Sequence, residues 1–238
     1  MSEVIQHSQP RIPQSVVRRL SKYLTQAQRL REAGVEWVSS AELGESLGLT
    51  SSTVRQDLSH IDFSGISKRG YLTAGLEAAL AATLGADHEI CCVVVGAGNL
   101  GRALALHEEF ARQSFRICGI FDNGAAVVGK KVGRLVVQPM DDLPGVVCGQ
   151  DVDIGIVAVP HHAAQQVADR LILAGVRGLL NLTTAHLLVP RKVSVVDARV
   201  LASLRELAYA LKISEPRAAV AGGAAALKGL LLKNRKEQ

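Results

Sequence analysis

Aromatic residues are scarce in this chain. They make up 3% of the 238 residues, and Trp37 is the only tryptophan. Proteins that bind single-stranded nucleic acid or flipped bases stack those bases on aromatic side chains. The chain is therefore not expected to belong to that class, and its core is expected to be aliphatic.

Long apolar runs and Cys-x-x-Cys motifs are missing too. Runs such as Ile90–Val95 and Ile154–Val159 are far shorter than the roughly 18 to 20 residues of a membrane helix. No basic stretch followed by an apolar core opens the sequence, so we expect no secretory signal, no membrane partner and a cytoplasmic location. The four cysteines show no Cys-x-x-Cys spacing, which predicts neither a metal site nor a disulfide framework.

The composition predicts a folded chain with a basic N-terminal segment. Hydrophobic residues make up 48% and charged residues 21%, the usual mixture of a globular protein. The length suits one large domain or two modest ones. The net charge is +5, and residues 1–31 alone contain six basic residues against the single acid Glu3. This distribution permits an anionic partner.

Residues 1–84 are predicted to form a DNA-binding domain with a helix-turn-helix. Apolar residues recur at helical spacing between Pro13 and Ala33. Ser39 and Glu42 have the spacing of a capping box, which predicts a short second helix. After a break at Gly48, a third helix is predicted over Ser51–Ile61. Two short helices joined by a tight turn are typical of a helix-turn-helix.

A small hairpin is predicted over Phe63–Leu72, with a basic pair near its tip, followed by a connecting helix over Thr73–Leu84. Such a hairpin would form the wing of a winged-helix domain. Hydroxyls, amides and cations are the groups that contact phosphates and base edges. The candidate DNA-contacting residues of the third helix and the wing are Ser51, Ser52, Thr53, Arg55, Gln56, Lys68 and Arg69.

Residues 85–214 alternate buried strand patterns with helical patterns, which predicts a doubly wound α/β fold with a parallel sheet. The segment 215–238 is a basic-ended tail to which the sequence assigns no role. The last long helix, from about Val200, carries an apolar stripe that we do not expect the sheet to cover fully.

A dinucleotide fingerprint follows the first strand of this second domain. Gly96, Ala97, Gly98, Asn99, Leu100 and Gly101 fit the pattern Gly-x-Gly-x-x-Gly, and a second strand ends at Asp122. The first glycine permits the tight turn, the second admits the pyrophosphate, and the third allows the helix to pack closely on the sheet. A carboxylate at Asp122 suits the ribose hydroxyls and repels a 2′-phosphate, so NAD(H) is predicted. Asn123, Val159 and Pro160 are predicted to line the same cleft.

Motifs in both domains resemble the Rex family, the bacterial redox-sensing transcriptional repressors. The resemblance extends from about Ile12 to Leu211. Its specific segments are Ile12–Pro13, Val38–Leu43, Val54–Ser59, Val95–Leu104, Ala164–Asp169 and Val196–Asp197.

The resemblance implies a non-catalytic homodimer that binds a palindromic operator and is released by NADH, while NAD+ competes with NADH. It also implies that the last helix is exchanged between subunits. In some members an aspartate matching Asp197 changes partners between subunits. The candidate partners in this chain are His107, which replaces a common tyrosine, and Arg19 of the first helix; Thr25 occupies the position of the family's arginine.

Two other classes of protein stay open from the residues alone. One is an NAD-dependent oxidoreductase with a fused helical module, for which His186 and Asp197 form the candidate acid–base pair. The other is a structural protein that binds CoA or another nucleotide. Turnover of a hydroxy acid or an aldehyde would favour the first, and failure to bind NAD(H) would favour the second.

Overall fold

The first helix of the chain, α1 (Gln14–Glu32), buries one apolar face and begins and ends about where its sequence predicts. The computed structural model describes residues 12–213. Pro13 precedes α1, where its missing N–H costs no hydrogen bond, and Gly34 beyond its end has a positive φ of 75°. The buried face of α1 consists of Val16, Leu20, Tyr23, Leu24 and Ala27.

The predicted helix-turn-helix is present as α2 (Ser40–Glu45) and α3 (Ser51–Leu58). The Ser39 side chain accepts a hydrogen bond from the Glu42 amide, and the Glu42 carboxylate accepts one from the Ser39 amide, so the capping box is confirmed. Thr50 caps α3 in the same way by accepting from the Thr53 amide. The connecting helix α4 (Thr73–Leu84) ends at Gly85, which has a left-handed backbone.

The wing differs from the predicted hairpin. Its second arm, β2 (Tyr71–Leu72), pairs with β1 (Trp37–Val38) in an antiparallel register, while the tip is closed only by a bridge between Ile66 and Gly70. Lys68 and Gly70 both have positive φ, 64° and 94°. Positive φ is typical of the turns that close hairpins, and here the turn places Ile66 opposite Gly70 before the second arm pairs with β1.

A buried ion pair fastens α3 to α1. The guanidinium of Arg19 donates from Nε and Nη2 to the two carboxylate oxygens of Asp57, over 2.6 and 2.7 Å, and the Tyr23 hydroxyl donates to Asp57 over 2.8 Å. Asp57 is 2% exposed. The Arg19 guanidinium holds the pKa of Asp57 below its ordinary value, against the opposing effect of burial.

The second half of the chain contains a seven-stranded sheet. Its strands are β3 (Ile90–Val95), β4 (Phe115–Asp122), β5 (Lys131–Val132), β6 (Leu135–Pro139), β7 (Ile154–Val157), β8 (Gly178–Asn181) and β9 (Ser194–Asp197). They lie in the order β5-β6-β4-β3-β7-β8-β9, and β5 is antiparallel to β6. Without β5, this is the order of a doubly wound dinucleotide-binding sheet, in which the strand order reverses between the parallel neighbours β3 and β7. The predicted fold class is therefore confirmed.

The helices of this half are α5 (Asn99–Ala105), α6 (Glu108–Arg112), α7 (Leu143–Gly149), α8 (Ala164–Leu173) and α9 (Val200–Ile213). The predicted helix over Asn99–Arg112 is divided into α5 and α6, because His107 has an extended backbone with ψ 106°. Glu108 and Glu109 then form the first turn of α6, where negative charge is favourable.

The contacts divide the chain into two compact units. The first contains the residues up to Cys91 together with His107–Ile117, and the second contains Cys92–Leu106 and the chain from Cys118. The segment His107–Ile117 joins the first unit because the Ile90 amide donates to the Ser114 carbonyl and Arg116 pairs with Glu89. The predicted tail 215–238 lies outside the described residues. Within those residues, no helix is both long and apolar enough to span a bilayer.

We expect the Asp57 carboxylate to stabilise the first unit only when it is ionised. Asp57→Asn should lower the free energy of unfolding at pH 7 by about 1–3 kcal/mol, because Arg19 loses its charged acceptor. The pKa of Asp57 is lowered by folding. The wild-type advantage is therefore complete above the unfolded pKa of about 3.9 and is lost as the pH falls through the lower folded pKa.

Urea unfolding followed by tryptophan fluorescence measures this difference, since Trp37 reports on the first unit alone. Asp62→Asn, which alters an exposed carboxylate, is the matched control. An advantage of wild type over Asp57→Asn that stayed constant down to pH 2 would contradict the assignment.

Candidate dinucleotide site and nucleic-acid interface

The fingerprint turn lies at the carboxyl end of β3, where the order of the sheet reverses. Gly96 has a φ of 109°, and a side chain there would collide with the carbonyl of Ala158, just after β7. A side chain at Gly101 would collide with the carbonyl of Gly96. Two of the three glycines are therefore required by the protein's own packing.

Gly98 is different, because the packing of the described residues does not require a glycine at this position. Its backbone (φ −70°, ψ −173°) is open to any residue, and a Cβ built there lies more than 4 Å from the described atoms beyond its neighbours. Gly98 immediately precedes α5. An open backbone at a helix N-terminus suits the close approach of a pyrophosphate, whose charge the helix favours.

Asp122 joins the end of β4 to this turn. The Ala97 amide donates to Oδ2 and the Gly124 amide donates to Oδ1, both over 2.7 Å. Each carboxylate oxygen keeps a second lone pair for a ribose hydroxyl. The predicted acid and the predicted glycines are therefore brought to one place by the fold.

The other predicted cofactor residues lie at the same edge of the sheet. Asn123 is exposed and follows Asp122 directly. Val159 lies beside the turn, since its side chain would be 3.1 Å from a Cβ at Gly96. Asn99 and Leu100 are exposed in the first turn of α5, and Pro160 is exposed beyond β7.

A hydrogen-bond network at the end of β8 positions Asp197. The side chain of Asn181 is fully buried; it donates to Asp197 over 2.7 Å and to the Ala185 carbonyl over 2.8 Å, and it accepts from Thr183. Arg199 donates to the other oxygen of Asp197 over 3.1 Å. Asn181 was not predicted from the sequence, where a single asparagine after an apolar run gives no distinct signal.

The candidate acid–base pair of the oxidoreductase hypothesis is not assembled as a pair. Asp197 is bound by Asn181 and Arg199, and His186 is exposed. In the part of the chain that the structure describes, no three His, Cys, Asp or Glu side chains are grouped so that they could hold a metal ion.

Three of the predicted DNA-contacting residues line a cleft of about 500 Å³ in the first unit. Arg55, Lys68 and Arg69 line it together with Ser39, Ser40 and Ser67. Arg55 donates to the Ser40 hydroxyl over 3.1 Å, so the third helix and the second share this wall. Gln56 and Ser52 are exposed on α3, while Ser51 and Thr53 are partly exposed near its start.

The first-unit switch candidates have separate surroundings. Arg19 is bound to Asp57, and a switch role for Arg19 would leave that buried carboxylate without its cation. His107 is exposed and packs edge-on against Phe110, with ring centroids 5.5 Å apart.

The role of Asp57 could have been predicted, because its spacing from Val54, Leu58 and Ile61 places a charge on the buried face of α3.

Comparison with protein families gives two matches. Residues 11–59 match the family described as "Putative DNA-binding protein N-terminus", and residues 87–185 match the family described as "CoA binding domain". The first match covers the helix-turn-helix, and the second covers the fingerprint and β7.

Characterised relatives resemble nearly the whole chain. A redox-sensing transcriptional repressor Rex from Carboxydothermus hydrogenoformans is 39% identical over 85% of this chain and 97% of its own length. The crystal structure of RSP, a Rex-family repressor, in complex with NADH has a TM-score of 0.77 at 33% identity, covering 85% of this chain and 95% of RSP. RSP with NAD+ and operator DNA has a TM-score of 0.80 at 31% identity, covering 92% and 98%.

We expect Gly98 and Gly101 to separate cofactor binding from folding. Gly98→Ala should weaken NADH binding on the order of tenfold and leave the melting temperature unchanged, because its Cβ meets only the ligand. Gly101→Ala should destabilise the protein by roughly 1–3 kcal/mol, because its Cβ overlaps the Gly96 carbonyl. Calorimetric NADH titration and thermal unfolding of both variants test this; unchanged NADH affinity in Gly98→Ala would remove Gly98 from the site.

Proposed function

The chain belongs to the Rex family of redox-sensing transcriptional repressors, and we propose that it binds a palindromic operator as a homodimer and leaves it when NADH binds. It is a regulator and not an enzyme. The observation that carries the proposal is the joining in one chain of a helix-turn-helix with an exposed polar face and a dinucleotide turn completed by Asp122. We also propose that it acts in the cytoplasm, where operator DNA is accessible.

The proposed cofactor contacts follow from the geometry of the turn. The pyrophosphate lies against Gly98, Asn99 and Leu100 at the start of α5, and Asp122 accepts from the adenosine ribose. Asn123, Val159 and Pro160 line the remaining cleft. A 2′- or 3′-phosphate on that ribose would meet the Asp122 carboxylate, which favours NAD(H) over NADP(H) and CoA.

The proposed DNA contacts divide into two kinds. Ser51, Ser52 and Thr53 at the start of α3 suit phosphate oxygens, as do the wing cations Lys68 and Arg69. Arg55 and Gln56 have the side chains that read guanine and adenine in the major groove. In a two-fold dimer, the two reading helices would contact half-sites one or more DNA turns apart.

The exposed helix α9 supports the proposed homodimer. None of its residues is buried, and its exposed apolar side chains are Val200, Leu201, Leu204, Leu207, Tyr209, Leu211 and Ile213. An apolar surface of this kind marks an interaction site. Exchange of α9 between two copies of the chain would bury it.

Release of DNA requires NADH to prefer one arrangement of the two subunits. A ligand shifts an equilibrium only by its difference in affinity for the two states. We propose that Asp197, which is held ready by Asn181 and partly exposed, meets His107 of the other subunit in the NADH-bound arrangement. Arg19 is the weaker candidate for the opposite arrangement, because Asp57 already binds it.

The redox response is tested by fluorescence anisotropy on duplexes selected from a random-sequence library by the purified protein. We expect NADH to release the selected duplex and NAD+ to oppose NADH, because the two compete for one turn. The titration is performed at a fixed, stated salt concentration, since phosphate contacts make the affinity depend on salt.

The outcomes distinguish the classes of function. No selected duplex, together with NADH binding and turnover of a hydroxy acid or an aldehyde, would favour the oxidoreductase. CoA binding without NADH binding would favour the third class.

We expect His107→Phe to uncouple NADH from DNA release. NADH should still bind, but the coupling between NADH and the selected duplex should fall on the order of fivefold, because the phenyl ring cannot pair with Asp197. The measurement is the NADH affinity with and without the duplex. His88→Phe, at an exposed histidine paired with Asp87, is the control, and unchanged coupling in His107→Phe would exclude the proposed contact.

A further inference from the structure

The tryptophan of the chain lies beneath a cation of the wing. The guanidinium carbon of Arg69 lies 4.0 Å from the centroid of the Trp37 ring system. A guanidinium over an indole face is attracted by the π electrons, and it stacks without using its N–H groups. Arg69 is thus restrained by a residue of β1. In the sequence, β1 precedes the helix-turn-helix and Arg69 follows it.

The backbone of Arg69 is restrained as well. The Arg69 and Gly70 amides both donate to the Ile66 carbonyl, over 3.0 and 2.9 Å, and the Ile66 amide donates to Gly70 over 2.7 Å. A side chain at Gly70 would collide with the carbonyl of Val38, the neighbour of Trp37. The wing tip and β1 are therefore in close contact beside the stacked pair.

The N–H groups of Arg69 are available to a ligand. The residue is exposed and lines the cleft, and within residues 12–213 the Trp37 ring is the one partner of its side chain. Arg55 differs, since it donates to Ser40. The face of this guanidinium stacks on the indole, and its N–H groups point outward from the edge. It can therefore donate two parallel hydrogen bonds to a phosphate.

The indole of Trp37 has a destabilising feature. Its Nε1 is buried and has no hydrogen-bond partner among the described residues. A buried donor without a partner is destabilising, and a purely apolar ring would avoid this. Packing alone therefore does not account for an indole at this position.

We propose that Trp37 is a positioning residue for DNA binding: it holds Arg69 in the conformation in which the guanidinium donates to a phosphate of the operator backbone. The proposal rests on the proposed function. Restraining the long side chain in advance reduces the conformational entropy that binding would otherwise remove.

The test is a double-mutant cycle on the selected duplex described above. Arg69→Ala should weaken binding and reduce the slope of log affinity against log salt by about 1, as for the loss of one phosphate contact. Trp37→Leu should weaken binding by about threefold to fivefold. In the Arg69→Ala background, Trp37→Leu should have no further effect.

Two further variants separate positioning from folding. Trp37→Phe keeps an aromatic face and removes the unpaired donor, so it should bind with intermediate affinity and unfold at the wild-type temperature or above. Lys68→Ala removes the neighbouring cation, and Trp37→Leu should still weaken binding in that background.

An equal effect of Trp37→Leu with and without Arg69 would overturn the proposal, as would an unchanged salt slope in Arg69→Ala. Failure of the wild-type protein to select any duplex would instead overturn the proposed function. A readout without DNA also applies, because Arg69→Ala should change the fluorescence of Trp37 in the free protein; unchanged emission would contradict the stacking.

Discussion

The nucleotide site depends on the hydrogen bond between the Asp122 carboxylate and the Ala97 amide. It joins the end of β4 to the turn that follows β3, at the point where the strand order reverses. The same carboxylate accepts a hydrogen bond from the Gly124 amide, so the loop that follows β4 curves around Asp122. One side chain thus joins the turn to the neighbouring loop, and in the proposed complex it also presents negative charge to the ribose of the cofactor.

A second constraint acts in the first unit, where Asp57 binds Arg19 and Tyr23. This pair fastens the inner face of α3 to α1, and the outer face keeps Arg55 and Gln56 exposed. The charge that stabilises the domain is therefore buried on one face of α3, while the charge and amide of the proposed DNA contacts are exposed on the other. The two networks have no residue in common.

Much of the fold could be predicted because its signals are local. The capping box at Ser39, the end of α4 at Gly85 and the fingerprint after β3 depend on residues a few positions apart. The wing was predicted less well, because β2 pairs with β1 and not with the other arm of the expected hairpin. Partner choice between strands depends on which surfaces the helices bring together, and alternating residues do not encode it.

The sequence by itself determined the two-part organisation, the class of cofactor and the residue types available to DNA, since periodicity, caps and glycine spacing act over a few residues. Only the tertiary structure decided the partners: Arg19 with Asp57, Asn181 with Asp197 and Trp37 with Arg69. Arg19 and Asp57 are 38 positions apart. A side chain meets a distant partner only after helices and strands have packed, so no local pattern specifies these pairs.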